Sequence, residues 1–352
     1  MNKLTKVGCS ALCGSLAAIA SANAGDLTIT GGADMTWISM NGPVTGNPLG
    51  IGSNFTLKGS GELDNGWTFD VTTAFGNVGA FSAANISLGL GGLGKLNFNQ
   101  GNSGNGIAAF DDKMPTAWEE SWGAGLSTGV RLPLGSGASQ NMMYTTPTIL
   151  GTTMTFTYAP SYGVSDQADK TASNNNTDDD ASYDATLNIN PSLGTEILSG
   201  LNIFAGAATI ARQDASGSED DAYEGVAGVT YDIGPLSLGA QWSADYTGVD
   251  ASNPGAVNKY NFYKANAFGV AFNVNDDLSI SYGEWSHRKA GYTDSATVQG
   301  GENSKQIDVS SLQIAYTMGG ASIRLADTNA DNVSWSAGDN QSATTISLGL
   351  AF

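Results

Sequence analysis

The sequence predicts an all-β fold closed into a transmembrane antiparallel β-barrel of about 16 strands. Three observations carry that prediction: a two-residue apolar rhythm that recurs along the chain, connections that alternate between short and long, and a composition with 47 glycines and only 13% charged residues. A period of two marks a strand with one apolar and one tolerant face, because successive Cβ atoms point to opposite sides. Low charge, abundant glycine and moderate aromatic content suit many strands joined by turns rather than a helical bundle.

The chain opens on an export signal. Lys3 and Lys6 supply a positive end, "ALCGSLAAIA" a short apolar region, and Ala22-Asn23-Ala24 a small-residue cleavage site. Residues 1–24 are therefore expected to be removed, leaving one barrel domain over 25–352 that begins at Gly25. Cys9 and Cys13 raise a lipoprotein anchor as a competing reading, but both lie before or within the apolar stretch, and Leu12 is too large for that processing. Both cysteines leave with the signal, so the mature chain needs no disulfide framework. Losing Lys3 and Lys6, with no acid beside them, takes the formal charge from −19 to −21. So acidic a chain excludes nucleic acid as a partner. No later run approaches the ~18 apolar residues of a membrane helix, whereas a strand crosses with about 10 residues, only half of them apolar.

Taken in order, the rhythm appears at Trp67, Phe69, Val71 and Phe75, then at Met154, Phe156 and Tyr158. It returns at Tyr183, Ala185, Leu187 and Ile189, at Leu236, Leu238 and Trp242, and at Leu312, Ile314 and Tyr316. The chain ends on it, in "TTISLGLAF", with Ile346, Leu348, Leu350 and Phe352 alternating with small residues. Alternate pairs of segments are joined by "LDNGW", "LGGLGK", "TILGT", "DIGPL", "NVNDDL" and "TMGGA". Asn-Gly, Gly-Gly and Asn-Asp are what tight hairpins demand, since these residues tolerate positive φ. The intervening connections are long and polar, as in "SYGVSDQADKTASNNNTDDDAS", "RQDASGSEDDA" and "TGVDASNPGAVNK". Short turns at one end and long acidic loops at the other are the mark of an outer-membrane barrel. Dividing the 328 mature residues among 16 strands leaves about 20 for each strand and its connection. Fourteen or 18 strands also fit, because residues 195–212 do not parse cleanly.

Lipid dictates closure. Backbone polar groups in hydrocarbon have no water partner, so each strand edge must be paired. The apolar face then meets lipid, and Thr, Ser, Asp, Asn and Gly face a polar interior. Trp37, Trp67, Tyr158, Tyr183, Tyr231, Trp242, Tyr246 and Tyr316 fall near segment ends, where interfacial aromatic belts belong. In a soluble sandwich the same aromatics would pack a core, but a sandwich gives no reason to sort its loops by length.

From "LKGSGELDNGWTFDVTTAF" through "ISLGLGGLGKLNFNQGNSGNG" the chain resembles the general-diffusion porins of Gram-negative bacteria. Lys58, Gly59, Glu62, Asn65, Gly66, Gly89, Gly92, Gly94 and Gln100 match that pattern, and composition, loop asymmetry and acidity look most like the alphaproteobacterial type. Terminal Phe352 resembles the family's C-terminal aromatic, the signal read by the barrel assembly machinery. The resemblance implies a third loop folded into the lumen, entered at Gln100, and a homotrimer in the outer membrane. It departs at one point: Asn99 stands where the family carries an Arg that reaches into the pore.

The matching loop, residues 101–139, is too long for an ordinary connection, and it carries Phe110, Trp118 and Trp122, which a solvated loop would not need. Asp111, Asp112, Glu119 and Glu120 are its candidate acids at a narrowing. Lys58 is out of phase with Phe55 and Leu57, and Arg324 lies between Ile323 and Leu325, so both are expected to point inward; Arg131 sits within the loop. Acids facing this basic wall would select solutes by electrostatics, and 12 mature bases against 33 acids predict a mild preference for cations. The acidic runs Asp178-Asp179-Asp180 and Asp220-Asp221 lack the ligand spacing of a calcium site, and no metal or other cofactor is expected.

The function expected is passive diffusion of small hydrophilic solutes and ions, with a substrate-specific channel as the alternative. A barrel enzyme ranks lower, because Ser286 beside the single histidine, His287 in "EWSHRK", cannot share its strand face, and Glu284 is an acid neighbour only by phase. A structural barrel would need a plug, and no extra domain is present to supply one.

Overall fold

In a computed structural model the described residues are 24–41, 47–101, 104–111, 113–164, 179–191, 196–212, 220–248, 260–291 and 305–351. Residues 1–23, which hold nearly all of the expected export signal, lie outside them, as do Asp112, Asp178, Phe352 and most of the three long polar connections.

Sixteen strands form one closed antiparallel barrel in sequence order. They are β1 (Ala24–Asn41), β2 (Leu49–Glu62), β3 (Thr68–Phe75), β4 (Phe81–Gly89), β5 (Lys95–Gln100), β6 (Asn141–Thr145), β7 (Thr152–Ala159) and β8 (Asp179–Ile189). β9 (Leu201–Arg212), β10 (Ala222–Ile233), β11 (Leu236–Tyr246), β12 (Tyr260–Asn273), β13 (Leu278–Gly291), β14 (Lys305–Met318), β15 (Ala321–Asp331) and β16 (Gln341–Ala351) follow. Closure comes from β1 pairing with β16, in register from Gly32↔Ala351 to Asn41↔Ser342. The last strand therefore has no free edge, which is the condition hydrocarbon imposes.

The expected hairpin turns join β2–β3, β4–β5, β6–β7, β10–β11, β12–β13 and β14–β15. Gly66 and Gly319 hold φ of +80° and +60° in two of them, a conformation that a side chain would strain. Between β8 and β9 a one-turn helix, α1 (Glu196–Ser199), intervenes among the described residues.

Alternation sorts the strand residues into two phases. The outer phase carries the exposed apolar side chains: Ile29, Met35 and Trp37 on β1, Met154 and Phe156 on β7, Leu312, Ile314 and Tyr316 on β14, and Ile346, Leu348 and Leu350 on β16. The inner phase is only partly the polar surface that the rhythm predicts. Phe204, Ile210, Val226, Trp285, Ile307 and Val309 are buried on it, clustered with Ile107, Phe110, Met114 and Leu126 of the long connection between β5 and β6. That connection brings its own apolar residues, so the wall beneath it is apolar too.

Candidate functional site

The β5–β6 connection is fastened to inner-phase side chains along the arc of the barrel from β8 to β14. Its first turn, a 3-10 helix over Gly106–Phe110, gives the Ile107 amide to Asp184 of β8 at 3.1 Å. The Phe110 ring lies 4.9 Å from that of Phe204 on β9. Further along, the Ala117 amide donates to Ser281 of β13 at 2.7 Å. Gln313 of β14 both accepts from the Glu119 amide at 2.9 Å and donates to the Glu119 carbonyl at 2.6 Å. On the return, Arg131 pairs with Asp245 of β11, and the amides of Leu134 and Gly135 donate to Glu224 of β10 at 2.9 and 2.5 Å. The Ser136 amide and hydroxyl both reach Asp184, at 2.8 and 2.7 Å. Asp184 and Glu224 are buried carboxylates, and main-chain N–H groups of the connection solvate them in place of water.

Small wall residues make room for this strip. A Cβ on Gly239 would fall 2.4 Å from Pro115 Cδ, and one on Gly283 would fall 2.3 Å from Ser121 Oγ. The glycines of β11 and β13 thus form a seat against which the connection lies.

Asn99, the point of departure from the family pattern, belongs to an amide ladder. It bonds Asn85 of β4 and donates to Asn141 of β6 at 2.8 Å, and Asn141 donates onward to the carbonyls of Ser139 and Ser136 at 2.8 and 3.2 Å. The position clamps the return of the connection where a cation was the family's choice. Gln100 closes β5 on the same side as exposed Phe98, directly before the connection starts.

The other anticipated residues fall as follows. Lys58 points inward and pairs with Asp70 on β3 at 3.3 Å, and Arg324 points inward and pairs with Asp34 on β1 at 3.0 Å. The Arg324 guanidinium also lies 5.7 Å from the centre of the Trp118 ring. Arg131 belongs to the connection and not to the wall. Burial opposes its charge, but the ion pair and hydrogen bond with Asp245, and the fields of Tyr263 and Glu224, hold the guanidinium more firmly protonated than usual. Each of the three bases therefore has an acid beside it, which replaces the simple picture of acidic loop against basic wall. Glu119 is exposed and Asp111 half-buried. Glu120 is a correction: it is buried and accepts from the Met114 amide at 2.9 Å and from Trp285 Nε1 at 3.2 Å, so its role is to fold the connection rather than to face water.

His287 is buried as well. It is 1% exposed, on the inner phase of β13, accepts from the Arg131 amide through Nδ1 at 3.3 Å, and stacks near Tyr263 and Trp335. Glu284 sits on the opposite phase, bonded by the Tyr282 hydroxyl, so it cannot serve His287 as an acid partner. Among the described residues no cluster of His, Cys, Asp and Glu is arranged to hold a metal. Sequence reasoning missed Asp184, Glu224, Asp245 and Trp285. Their strand phase was legible, but what they bond lies far away in the chain.

A closed up-and-down barrel with an apolar outer phase and a long connection bonded to its inner phase defines the class: a channel-forming outer-membrane barrel. Residues 8–311 match the family model described as Gram-negative porin, and the chain belongs to that family. No curated protein matches it in sequence. Among solved structures it is similar to the anion-selective porin from Comamonas acidovorans, with a TM-score of 0.64 at 14% identity over 93% of this chain and 99% of that one. It is also similar to Salmonella typhi OmpF in complex with daunomycin (TM-score 0.63, 14% identity, 93% and 97% covered). The outer membrane channel DcaP of Acinetobacter baumannii is a third (TM-score 0.63, 13% identity, 94% and 98% covered). At these identities the likeness is one of fold. Family and fold together imply an outer-membrane diffusion channel and not an enzyme.

Proposed function

We propose that the protein is a passive channel for small hydrophilic solutes and ions, mildly cation-selective, narrowed by the connection between β5 and β6. The observation that carries the reading is the anchoring of this connection to inner-phase residues of β8, β10, β11, β13 and β14. A segment so held reduces the open cross-section, and Glu119 and Asp111 are the acids we assign to its water-facing edge. With Lys58, Arg131 and Arg324 each ion-paired, the surplus of acids sets the sign of the field.

Strand lengths support a homotrimer. A membrane strand needs about 9–11 residues at a tilt near 45°, yet β5 and β6 have 6 and 5, and β3 and β7 have 8 each. β8 to β16 have at least 11. A low wall at β3–β7 would set loops against hydrocarbon, so we assign that sector to contact with neighbouring copies. Export by the N-terminal signal, assembly through Phe352 and an alphaproteobacterial origin complete the proposal, supported by sequence pattern alone.

Planar-bilayer recording of the purified protein tests it. The expected result is stepwise conductance arriving in threes, with a reversal potential favouring potassium over chloride. Single steps argue against the trimer, and a chloride preference against the assigned selectivity.

A further inference from the structure

We propose that the cavity between the start of the β5–β6 connection and the inner wall of β6–β8 is a binding subsite for small polyhydroxylated anions of the sugar-acid class. The inference rests on the channel reading above. The cavity holds about 620 Å³ and extends from Asn105 and Phe110 to Thr148 and Asn190 in the short connections at the other end. That volume suits a solute of hexose size.

Its chemistry runs against the rest of this acidic chain. Thr153 faces Asn188 and Thr155 faces Thr186 across the β7–β8 pair, so hydroxyls and amides are stacked in a ladder on the inner phase. Hydroxyl and amide side chains both donate and accept, which matches the alternating needs of a polyol. Among the described residues no carboxylate lines the cavity, and its one charged group is Lys113. Lys58, Arg131 and Arg324 each have an acid partner. Lys113 has none among the described residues; its ammonium lies 5.8 Å from the Phe110 ring centre. Phe110, 5% exposed and packed against Phe204, lines the cavity as a fixed apolar backing rather than as an open stacking face. An unneutralised ammonium among neutral dipoles attracts an anion more strongly than it would in bulk water. The ladder then distinguishes a hydroxylated anion from a plain one.

The test is single-channel recording of the reconstituted protein with millimolar gluconate, glucose or acetate. Gluconate is expected to interrupt the current in a saturable way, with glucose and acetate each at least fivefold weaker. Lys113→Gln is expected to lose at least fivefold in gluconate affinity and Lys113→Arg to retain it, while Lys264→Gln, which removes an outer-phase base, leaves the block unchanged. Equal block of the parent channel and Lys113→Gln overturns the subsite, as does an equal loss in Lys264→Gln. A conducting channel indifferent to gluconate overturns the subsite alone, whereas the absence of any ionic current overturns the channel reading and the subsite with it.

Discussion

Asp34 and Arg324 stand 290 positions apart in the chain and meet because β1 closes on β16. The pair lies over Gly349, where a Cβ would come within 2.5 Å of Arg324 Nη2 and 2.7 Å of Asp34 Oδ1. The Arg324 side chain is 25% exposed and that of Asp34 50%, so the bond itself stabilises the barrel by no more than about 1 kcal/mol. Its weight falls on permeation. Arg324→Gln uncovers one carboxylate in the lumen, and reversal-potential measurements are expected to show the potassium-to-chloride permeability ratio rising about twofold, with little change in thermal unfolding. Glu120 behaves oppositely. Glu120→Leu strips two buried donors, Met114 N and Trp285 Nε1, of their acceptor. The expected destabilisation is about 2–6 kcal/mol, at roughly 1–3 kcal/mol for each buried orphan, read as a lower unfolding temperature and faster proteolysis within residues 104–139. Alternation alone was enough to place Lys58 and Arg324 inward, since phase is a local property. Their acid partners, and the burial of Glu120, depend on contacts between strands, which no local pattern encodes.

At the scale of elements, the seat in β11 and β13 fixes where the β5–β6 connection can lie. Gly283→Val would drive a side chain into Ser121, which is fully buried and has no room to yield. Overpacking of this kind costs about 1–3 kcal/mol. The connection is expected to lift off the wall, and single-channel recordings to show a lower and noisier open conductance than the parent channel. The same contact explains why residues 195–212 resisted parsing. β9 carries Ala205, Ala207 and Thr209 on its outer phase, while Phe204 and Ile210 are buried on the inner one against the connection. With Leu201 and Ile203 also on the outer phase, both faces of β9 carry apolar residues and the rhythm of two is blurred, and α1 directly precedes the strand. Where both faces of a strand keep their usual partners, lipid outside and water within, the rhythm of two reads directly into structure. Under the connection it does not.

The whole molecule is a cylinder whose two surfaces have opposite solvents, and substitutions should divide accordingly. Ile346 is exposed on the outer phase and Asn54 on the inner one. Ile346→Arg places a charge against hydrocarbon and is expected to lower stability by about 2–4 kcal/mol if it lies at the bilayer midplane. Asn54→Arg leaves unfolding nearly unchanged but shifts ion preference toward chloride. The acid excess, 33 against 14 over the whole sequence, acts through screened Coulomb fields rather than through a single binding site. The Debye length falls from about 10 Å at 0.1 M salt to about 3 Å at 1 M. Across that range the field of distant acids fades at the lumen axis, and only groups at the proposed narrowing still act on a passing ion. The potassium preference is therefore expected to decline steeply as salt rises and to level off above unity, the residue being set by Glu119 and its neighbours. A ratio independent of salt would assign selectivity entirely to the narrowing, and a ratio that collapses to unity would assign it to the loops.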